Sequence, residues 1–184
     1  MADGLLPGMG GWSFDAVRQD PDLKEVSRKL QQWARELQGW RFLIGPSGRG
    51  KSFFAACLVN YVRTLGREAV YFMTSFLLDE IQERRWNRQD FKDWTFPAWW
   101  RHLIEVDLLV LDEFGNFNVT DTRIEKLREL LISRSDPMFL ATVIVSDQKI
   151  PDLEPKFPWL ISRLRHRAVR TIDLSKFPDL RRAR

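Results

Sequence analysis

Gly45-Pro46-Ser47-Gly48-Arg49-Gly50-Lys51-Ser52 separates a short apolar run, Trp40–Ile44, from a segment with helical apolar spacing. The apolar run predicts a buried strand, so this stretch forms the turn between a strand and a helix. Glycines at this spacing let a loop curl until its backbone N–H groups point inward, where they can bind phosphate oxygens. The start of the following helix adds partial positive charge at the same place. The G-x-x-x-x-G-K-S pattern in this context therefore predicts a nucleotide-binding phosphate loop.

The residues at the end of the loop have separate predicted roles. The Lys51 ammonium should reach the β- and γ-phosphates, and the Ser52 hydroxyl should ligate Mg²⁺. Together with Phe53, the first residues of the helix complete the predicted nucleotide-binding segment 45–53. The chain has no Asn-Lys-x-Asp motif, which GTPases use to read guanine, so the predicted cofactors are ATP and Mg²⁺.

A second acidic motif follows the apolar run Leu108–Leu111. This run predicts a buried strand that delivers Asp112 and Glu113 to its carboxyl end, the edge at which open α/β sheets bind ligands. Asp112 should hold Mg²⁺ through its water shell. Glu113 should polarise the attacking water as a general base, which predicts an ATPase. Asp107 precedes the run, so it should lie at the opposite end of the strand and take no part in the chemistry.

The remaining pattern predicts an α/β fold. Further buried strands are expected at 69–73, 142–145 and 168–174, with helices beginning after Lys51, over 76–85 and around 124–131. Continuous apolar runs that alternate with helices are typical of a parallel sheet covered on both faces. The sequence therefore predicts a five-stranded parallel sheet of P-loop NTPase type.

Two regions are expected along the chain. Residues 1–39 form an N-terminal segment with one amphipathic helix that ends at Gly39, and residues 40–184 form the nucleotide-binding core with a short basic C-terminal tail. The apolar face of the amphipathic helix comprises Val26, Leu30, Trp33, Ala34 and Leu37. The sequence ends soon after the fifth strand, so no helical lid domain is expected.

Composition favours a cytoplasmic protein without a membrane span. No apolar run approaches the roughly 18 residues needed to cross a bilayer, and the first residues lack the basic region of a signal peptide. The single cysteine, Cys57, lies on the apolar face of a predicted helix and is expected to be a packed core thiol.

Charge and aromatic residues raise the possibility of a nucleic-acid partner. The net charge is +4, and such a basic balance is modest evidence for a polyanionic ligand. Basic residues crowd one region and the tail: Arg163, Arg165, His166, Arg167, Arg170, Arg181, Arg182 and Arg184. A second region interleaves cations with the rings of Trp86, Phe91, Trp94, Phe96, Trp99 and Trp100. These rings either stack on single-stranded nucleic acid or pack helices onto the sheet, and Pro97 is expected to begin a helix.

Four motifs in order resemble those of the DnaC/DnaI/IstB group of AAA+ ATPases, which are bacterial helicase loaders and transposition helpers. They are the phosphate loop, Val106–Gly115, Ile144–Asp147 and Ile161–Leu164. The resemblance implies an AAA+ assembly factor that forms a homo-oligomer and acts on DNA, with a replicative helicase or a transposase as its partner.

The same resemblance implies further site residues. Asp147 occupies the sensor position that reads the γ-phosphate, and Arg163 looks like the arginine finger that completes a neighbouring subunit's site. Thr74 is similar to the group's polar switch residue, although an ordinary strand-terminal hydroxyl is an equal alternative. The group usually has Asn where Asp147 stands, so Ser146 is an alternative for the phosphate contact. A small-molecule kinase and an ATP-dependent scaffold with little hydrolysis remain alternative functions.

Overall fold

A parallel sheet of five strands forms the centre of the protein. The computed structural model describes residues 5–17, 21–86, 95–136 and 138–180. The strands are β1 Trp40–Ile44, β2 Ala69–Met73, β3 Leu108–Asp112, β4 Thr142–Ser146 and β5 Val169–Asp173. Their spatial order is β2-β3-β4-β1-β5, and every neighbouring pair is parallel. The predicted α/β fold with a five-stranded parallel sheet is confirmed.

Helices connect the strands and cover the sheet. They are α1 Pro21–Glu36, α2 Lys51–Thr64, α3 Thr74–Trp86, α4 Phe96–Glu105, α5 Asp121–Ser135, α6 Ile150–Leu153 and α7 Pro158–Leu164. Two short 3-10 helices, Met9–Gly11 and Phe14–Val17, precede α1. Within the described ranges, no helix is long and apolar enough to span a membrane.

The alternation of side chains along each strand divides the core into two layers. Leu43 of β1 and Val143 of β4 face one cluster with α1 and α2, whereas Phe42 and Ile144 face the other cluster with α3, α4, α5 and α7. Cys57 lies in the first layer, where burial raises its thiol pKa to about 12. The prediction of a packed core thiol is confirmed.

The N-terminal segment packs on α2. The Asn60 amide donates to the Met9 and Trp12 carbonyls at 2.9 and 2.8 Å, which anchors the 3-10 segment to the helix. The expected end of the amphipathic helix at Gly39 is wrong, because α1 ends at Glu36 and Leu37 itself takes the left-handed conformation (φ 48°). Gly39 is required for another reason: a Cβ there would lie 2.2 Å from the Ala168 carbonyl oxygen beside β5.

The fully buried Arg134 joins α5 to the end of α4 and to the start of β4. The Arg134 guanidinium donates to Thr142 Oγ1 and to the carbonyls of Leu103, Ile104, Val106 and Ala141 at 2.6–3.0 Å. Burial lowers the pKa of Arg134 to about 9, and the Asp107 carboxylate opposes this shift. The group therefore stays charged at neutral pH and supplies donors to the Leu103, Ile104 and Val106 carbonyls at the end of α4.

The aromatic region favours the packing interpretation where it is described. Trp99 is 2% exposed within the second core layer, and the Arg84 guanidinium stacks on its ring at 4.5 Å. Phe96 stacks on the half-buried Trp100. The interpretation in which the Trp99 ring stacks on nucleic acid is therefore wrong. Phe91 and Trp94 lie outside the described residues, as do the tail arginines Arg181, Arg182 and Arg184.

Candidate nucleotide-binding site

The phosphate loop connects the carboxyl end of β1 to the first turn of α2. Gly45, Gly48 and Gly50 all have positive φ, at 142°, 82° and 83°, which are backbone conformations that favour glycine. The helix begins at Lys51, and Gly50 at its N-cap has no side chain to occupy the first N–H groups. These N–H groups and the helix dipole remain directed at the loop, so the loop forms an anion cradle.

The lysine of the loop bends back over the cradle. Lys51 is 9% exposed, and its ammonium donates to the Pro46 carbonyl at 3.0 Å. From this position the Lys51 ammonium can exchange the Pro46 carbonyl for phosphate oxygens. The structure therefore holds the Lys51 ammonium against the backbone of the phosphate loop.

A segment that follows β5 supports the outer side of the loop. The Leu180 N–H donates to the Gly48 carbonyl at 2.9 Å, and the Arg49 guanidinium donates to the Phe177 carbonyl at 2.5 Å. A Cβ on Gly50 would lie 2.9 Å from the Leu180 side chain. The Leu180 bond to the Gly48 carbonyl therefore ties the segment after β5 to the phosphate loop. Sequence reasoning did not identify this segment.

The acidic pair lies at the carboxyl end of β3. Asp112 is 3% exposed, and its Oδ1 accepts from the Glu113 N–H at 2.7 Å. Glu113 is exposed and has a left-handed backbone with φ 52°. This conformation costs a non-glycine residue roughly 1–2 kcal/mol, and such strain persists mainly where the surrounding structure holds it for function. The exposed Glu113 therefore lies at the carboxyl end of β3, next to the buried Asp112.

A phenol links the two predicted Mg²⁺-binding positions. Tyr71 of β2 is fully buried, and its hydroxyl donates to Asp112 Oδ2. The Ser52 side chain is a further hydrogen-bonding neighbour of the same phenol. Burial, reinforced by the Asp112 carboxylate, raises the Tyr71 pKa far above its ordinary value, so the phenol keeps its proton. Sequence reasoning missed Tyr71, although a residue with a polar tip inside an apolar strand next to the site is a usable signal.

The donor set fits a magnesium ion held jointly with nucleotide phosphates. Ser52 and Asp112 would supply oxygen ligands from two elements, the start of α2 and the end of β3. Across the described part of the chain, no group of three or more His, Cys, Asp or Glu could hold a metal ion by itself. Mg²⁺ typically binds in this way, through one or two protein oxygens plus substrate phosphates and water.

The predicted switch and sensor residues occupy the same edge of the sheet. The buried Thr74 hydroxyl donates to the Asp112 carbonyl at 2.7 Å, which favours the interpretation of a strand-terminal hydroxyl. Ser146 is also fully buried and donates to the Phe114 carbonyl at 2.7 Å, so its hydroxyl is already used. Asp147 is exposed, and its Oδ1 accepts from the Asn116 amide at 2.9 Å.

Asn116 places a side-chain amide beside the predicted sensor residue Asp147. Its side chain bridges Asp147 and Gln148, because its Oδ1 also accepts from Gln148 Nε2 at 3.0 Å. A second bond from Gln148 Nε2 to the Gly115 carbonyl, at 2.9 Å, fixes this network to the loop after β3. The amide donor neutralises part of the repulsion that Asp147 would exert on a phosphate. Asn116 was not identified from the sequence.

Arg163 lies at the other end of the sheet. It is in the last turn of α7, where Nε donates to Ser135 Oγ at 2.9 Å and a guanidinium nitrogen to the Trp159 carbonyl at 3.3 Å. Ser135 ends α5, which leads to the start of β4, whereas the phosphate loop follows the end of β1. A strand of five residues separates these edges by about 15 Å. Arg163 therefore cannot reach the phosphate loop of its own chain.

An all-parallel sheet of this order, with a phosphate loop after its first strand and an acidic pair after its third, defines a P-loop domain of AAA+ type. Among solved structures, the DnaC helicase loader matches with a TM-score of 0.75 at 14% identity, over 91% of this chain and 99% of that one. The replication initiator DnaA bound to AMPPCP and single-stranded DNA matches with a TM-score of 0.70 at 15% identity, over 88% and 49%.

One curated protein is similar to this chain in amino-acid sequence. It is a protein of the insertion sequence IS1162 of Pseudomonas fluorescens, to which ATP binding is attributed, and it is 29% identical over 103 residues. The match covers 56% of this chain and 42% of the relative. No family model matches the chain. The comparisons confirm the resemblance to the DnaC/IstB type of AAA+ ATPase and show that the fold is shared with helicase loaders and replication initiators.

Proposed function

We propose that this protein is a MgATP-dependent AAA+ assembly factor that acts on DNA as a replicative-helicase loader or a transposition helper. Residues 45–53 bind the nucleotide, with Lys51 on its terminal phosphates, and Ser52 and Asp112 hold Mg²⁺. Glu113 is the general base for hydrolysis, and Asp147 with Asn116 senses the γ-phosphate. Bound Mg²⁺ would neutralise part of the phosphate charge, and residues of this chain orient the reacting groups.

The main support for this proposal is the distance between Arg163 and the phosphate loop of its own chain. An arginine that stabilises charge on a transferring phosphoryl group must lie against that group. Since Arg163 is held at the opposite edge of the sheet, it can act only on the nucleotide of a neighbouring copy. Head-to-tail contacts of this kind generate rings or open helical assemblies, depending on whether the rotation closes.

A basic surface beside Arg163 supports a polyanionic partner. Arg165, Arg167 and Arg170 are exposed there, and the strand register places Arg170 beside Arg41. Burial, together with repulsion from Arg170, lowers the Arg41 pKa to about 10. Adjacent cations favour an anionic ligand. The solved structure of DnaA with single-stranded DNA is a precedent for DNA binding on this fold.

A complementation assay tests the shared site. Arg163→Ala keeps an intact phosphate loop, and Lys51→Ala keeps an intact finger, so each variant alone should lose ATPase activity. An equal mixture should recover about one quarter of the wild-type rate, because one in four random head-to-tail contacts joins the intact loop to the intact finger. The steady-state ATPase rate is measured against protein concentration, with and without single- or double-stranded DNA, and DNA should raise the wild-type rate.

Arg165→Ala is the matched control, because Arg165 is exposed at the same helix end and pairs with Glu154 at 3.3 Å. Its ATPase rate without DNA should equal that of the wild-type protein. An Arg163→Ala protein with normal activity at every concentration, or a mixture that stays inactive, contradicts the shared site. A wild-type rate that no DNA alters contradicts the proposed action on DNA.

A further inference from the structure

One buried phenol stands between the two residues proposed to hold Mg²⁺, and this inference rests on that proposed function. Tyr71 lies on β2, one strand away from Asp112 and across the loop from Ser52. It is the only group besides the Glu113 backbone for which the described residues show a hydrogen bond to the Asp112 carboxylate. Its ring packs in the core layer beneath α2, so the hydroxyl position is fixed.

The direction of the hydrogen bonds gives the phenol a specific task. A phenol has one proton to donate and lone pairs to accept. The Tyr71 proton goes to Asp112 Oδ2, so the phenol oxygen has only its lone pairs left for a further partner. A Ser52 hydroxyl that donates its proton to Tyr71 turns its own lone pairs away from the phenol. Those lone pairs are the ones that a metal ion requires.

We propose that Tyr71 is a positioning residue for magnesium: it couples Ser52 to Asp112 so that both present oxygen lone pairs to one metal ion. Asp112 Oδ1 is held by the Glu113 N–H at 2.7 Å, and Oδ2 is held by Tyr71. The carboxylate is thereby fixed from both sides. Removal of an outer hydrogen-bond partner of a metal site typically lowers metal affinity 10–100-fold.

The ring alone does not explain a tyrosine at this position. Neighbouring inward residues on the same face, such as Leu108 and Val110 of β3, are wholly apolar. A buried hydroxyl must find a partner or cost stability, whereas phenylalanine would fill the same space without that requirement. The hydroxyl therefore contributes through its contact with Asp112 and Ser52.

Tyr71→Phe tests the inference because it removes one oxygen and keeps the ring. Binding of a fluorescent ATP analogue is measured first without metal and then during titration with Mg²⁺, and Mn²⁺ binding to the protein–nucleotide complex is measured by electron paramagnetic resonance. In Tyr71→Phe, metal affinity in the complex should fall by about tenfold or more. Analogue affinity without metal should stay within about twofold of wild type, because the phosphate loop is untouched.

Tyr61→Phe is the matched control, since Tyr61 is the other of the two tyrosines and its hydroxyl accepts from Arg35 at 3.2 Å on α1. Its metal affinity should equal that of wild type. Equal metal affinities in all three proteins overturn the inference while the proposed nucleotide binding stands. A loss of metal-free analogue binding in Tyr71→Phe also overturns it, because the phenol would then support the loop. Failure of the wild-type protein to bind the analogue contradicts the proposed function itself.

Discussion

Replacing Glu113 by Gln is expected to lower the ATP hydrolysis rate roughly 10²–10⁴-fold, the range for loss of a general base. Glutamine has the same shape but cannot take a proton from the attacking water. Glu113 is exposed at the end of β3, and its left-handed backbone (φ 52°) directs it to the site edge. Affinity for ATP should stay within about twofold, because the side chain acts on the water and not on the phosphates.

Single-turnover hydrolysis and equilibrium ATP binding, measured on the same preparation, separate these two effects. Glu125→Gln is the matched control, because Glu125 is an exposed glutamate of α5 that pairs with Arg128 on the surface. Its hydrolysis rate should equal that of wild type. Turnover unchanged by Glu113→Gln would contradict the general-base role and favour a scaffold that uses nucleotide only for assembly.

Replacing Arg134 by Met is expected to destabilise the fold by at least about 3 kcal/mol. The side chain is fully buried, and four of its five acceptors are backbone carbonyls: those of Leu103, Ile104, Val106 and Ala141. Methionine fills a similar volume but leaves the Leu103, Ile104 and Val106 carbonyls without their Arg134 donor, and each unsatisfied buried group costs roughly 1–3 kcal/mol. The end of α4 and the start of β4 should therefore separate from α5.

Urea unfolding followed by far-UV circular dichroism measures this loss. Arg128→Met, an exposed position on the same helix, should change the free energy of unfolding by no more than about 0.5 kcal/mol. Arg134→Lys should give an intermediate loss, since an ammonium keeps the charge but cannot span five acceptors. If Arg134→Met fails to fold, the Lys variant supplies the measurement. Wild-type stability in both variants would contradict the role of Arg134.

The sequence predicts the strands and the phosphate loop closely because their signals are local. The run Leu108–Leu111 and the strand Leu108–Asp112 differ by one residue, and the glycines of the loop take the positive φ values that the motif requires. Apolar runs and glycine spacing act within a few neighbouring residues. A single sequence is sufficient to read them.

The groups that complete the site depend on contacts between distant parts of the chain. The Arg49 guanidinium donates to the Phe177 carbonyl, which is 128 positions away along the chain. The Tyr71 hydroxyl donates to Asp112, which is 41 positions away. Nothing in the local pattern around Phe177 distinguishes it from an ordinary core residue, and the polar tip of Tyr71 inside an apolar strand is the one local signal of its role. The predicted end of α1 is also wrong. Leu37 takes the left-handed conformation there, although helix-ending rules favour glycine at such a position. The roles of Arg163 and Asp147 stay predictions, since they depend on a neighbouring copy and on bound nucleotide.

The loop 45–52 is expected to bind the phosphates of ATP through Lys51. Isothermal titration of MgATP into wild-type protein, Lys51→Ala and the exposed control Lys29→Ala measures this binding. Removing a charge that contacts a buried phosphate should cost at least about 2 kcal/mol, which corresponds to an affinity about 30-fold weaker. We expect saturable binding by the wild-type and Lys29→Ala proteins and this loss of affinity in Lys51→Ala. Equal affinities in all three proteins, or no binding by the wild-type protein, would contradict it.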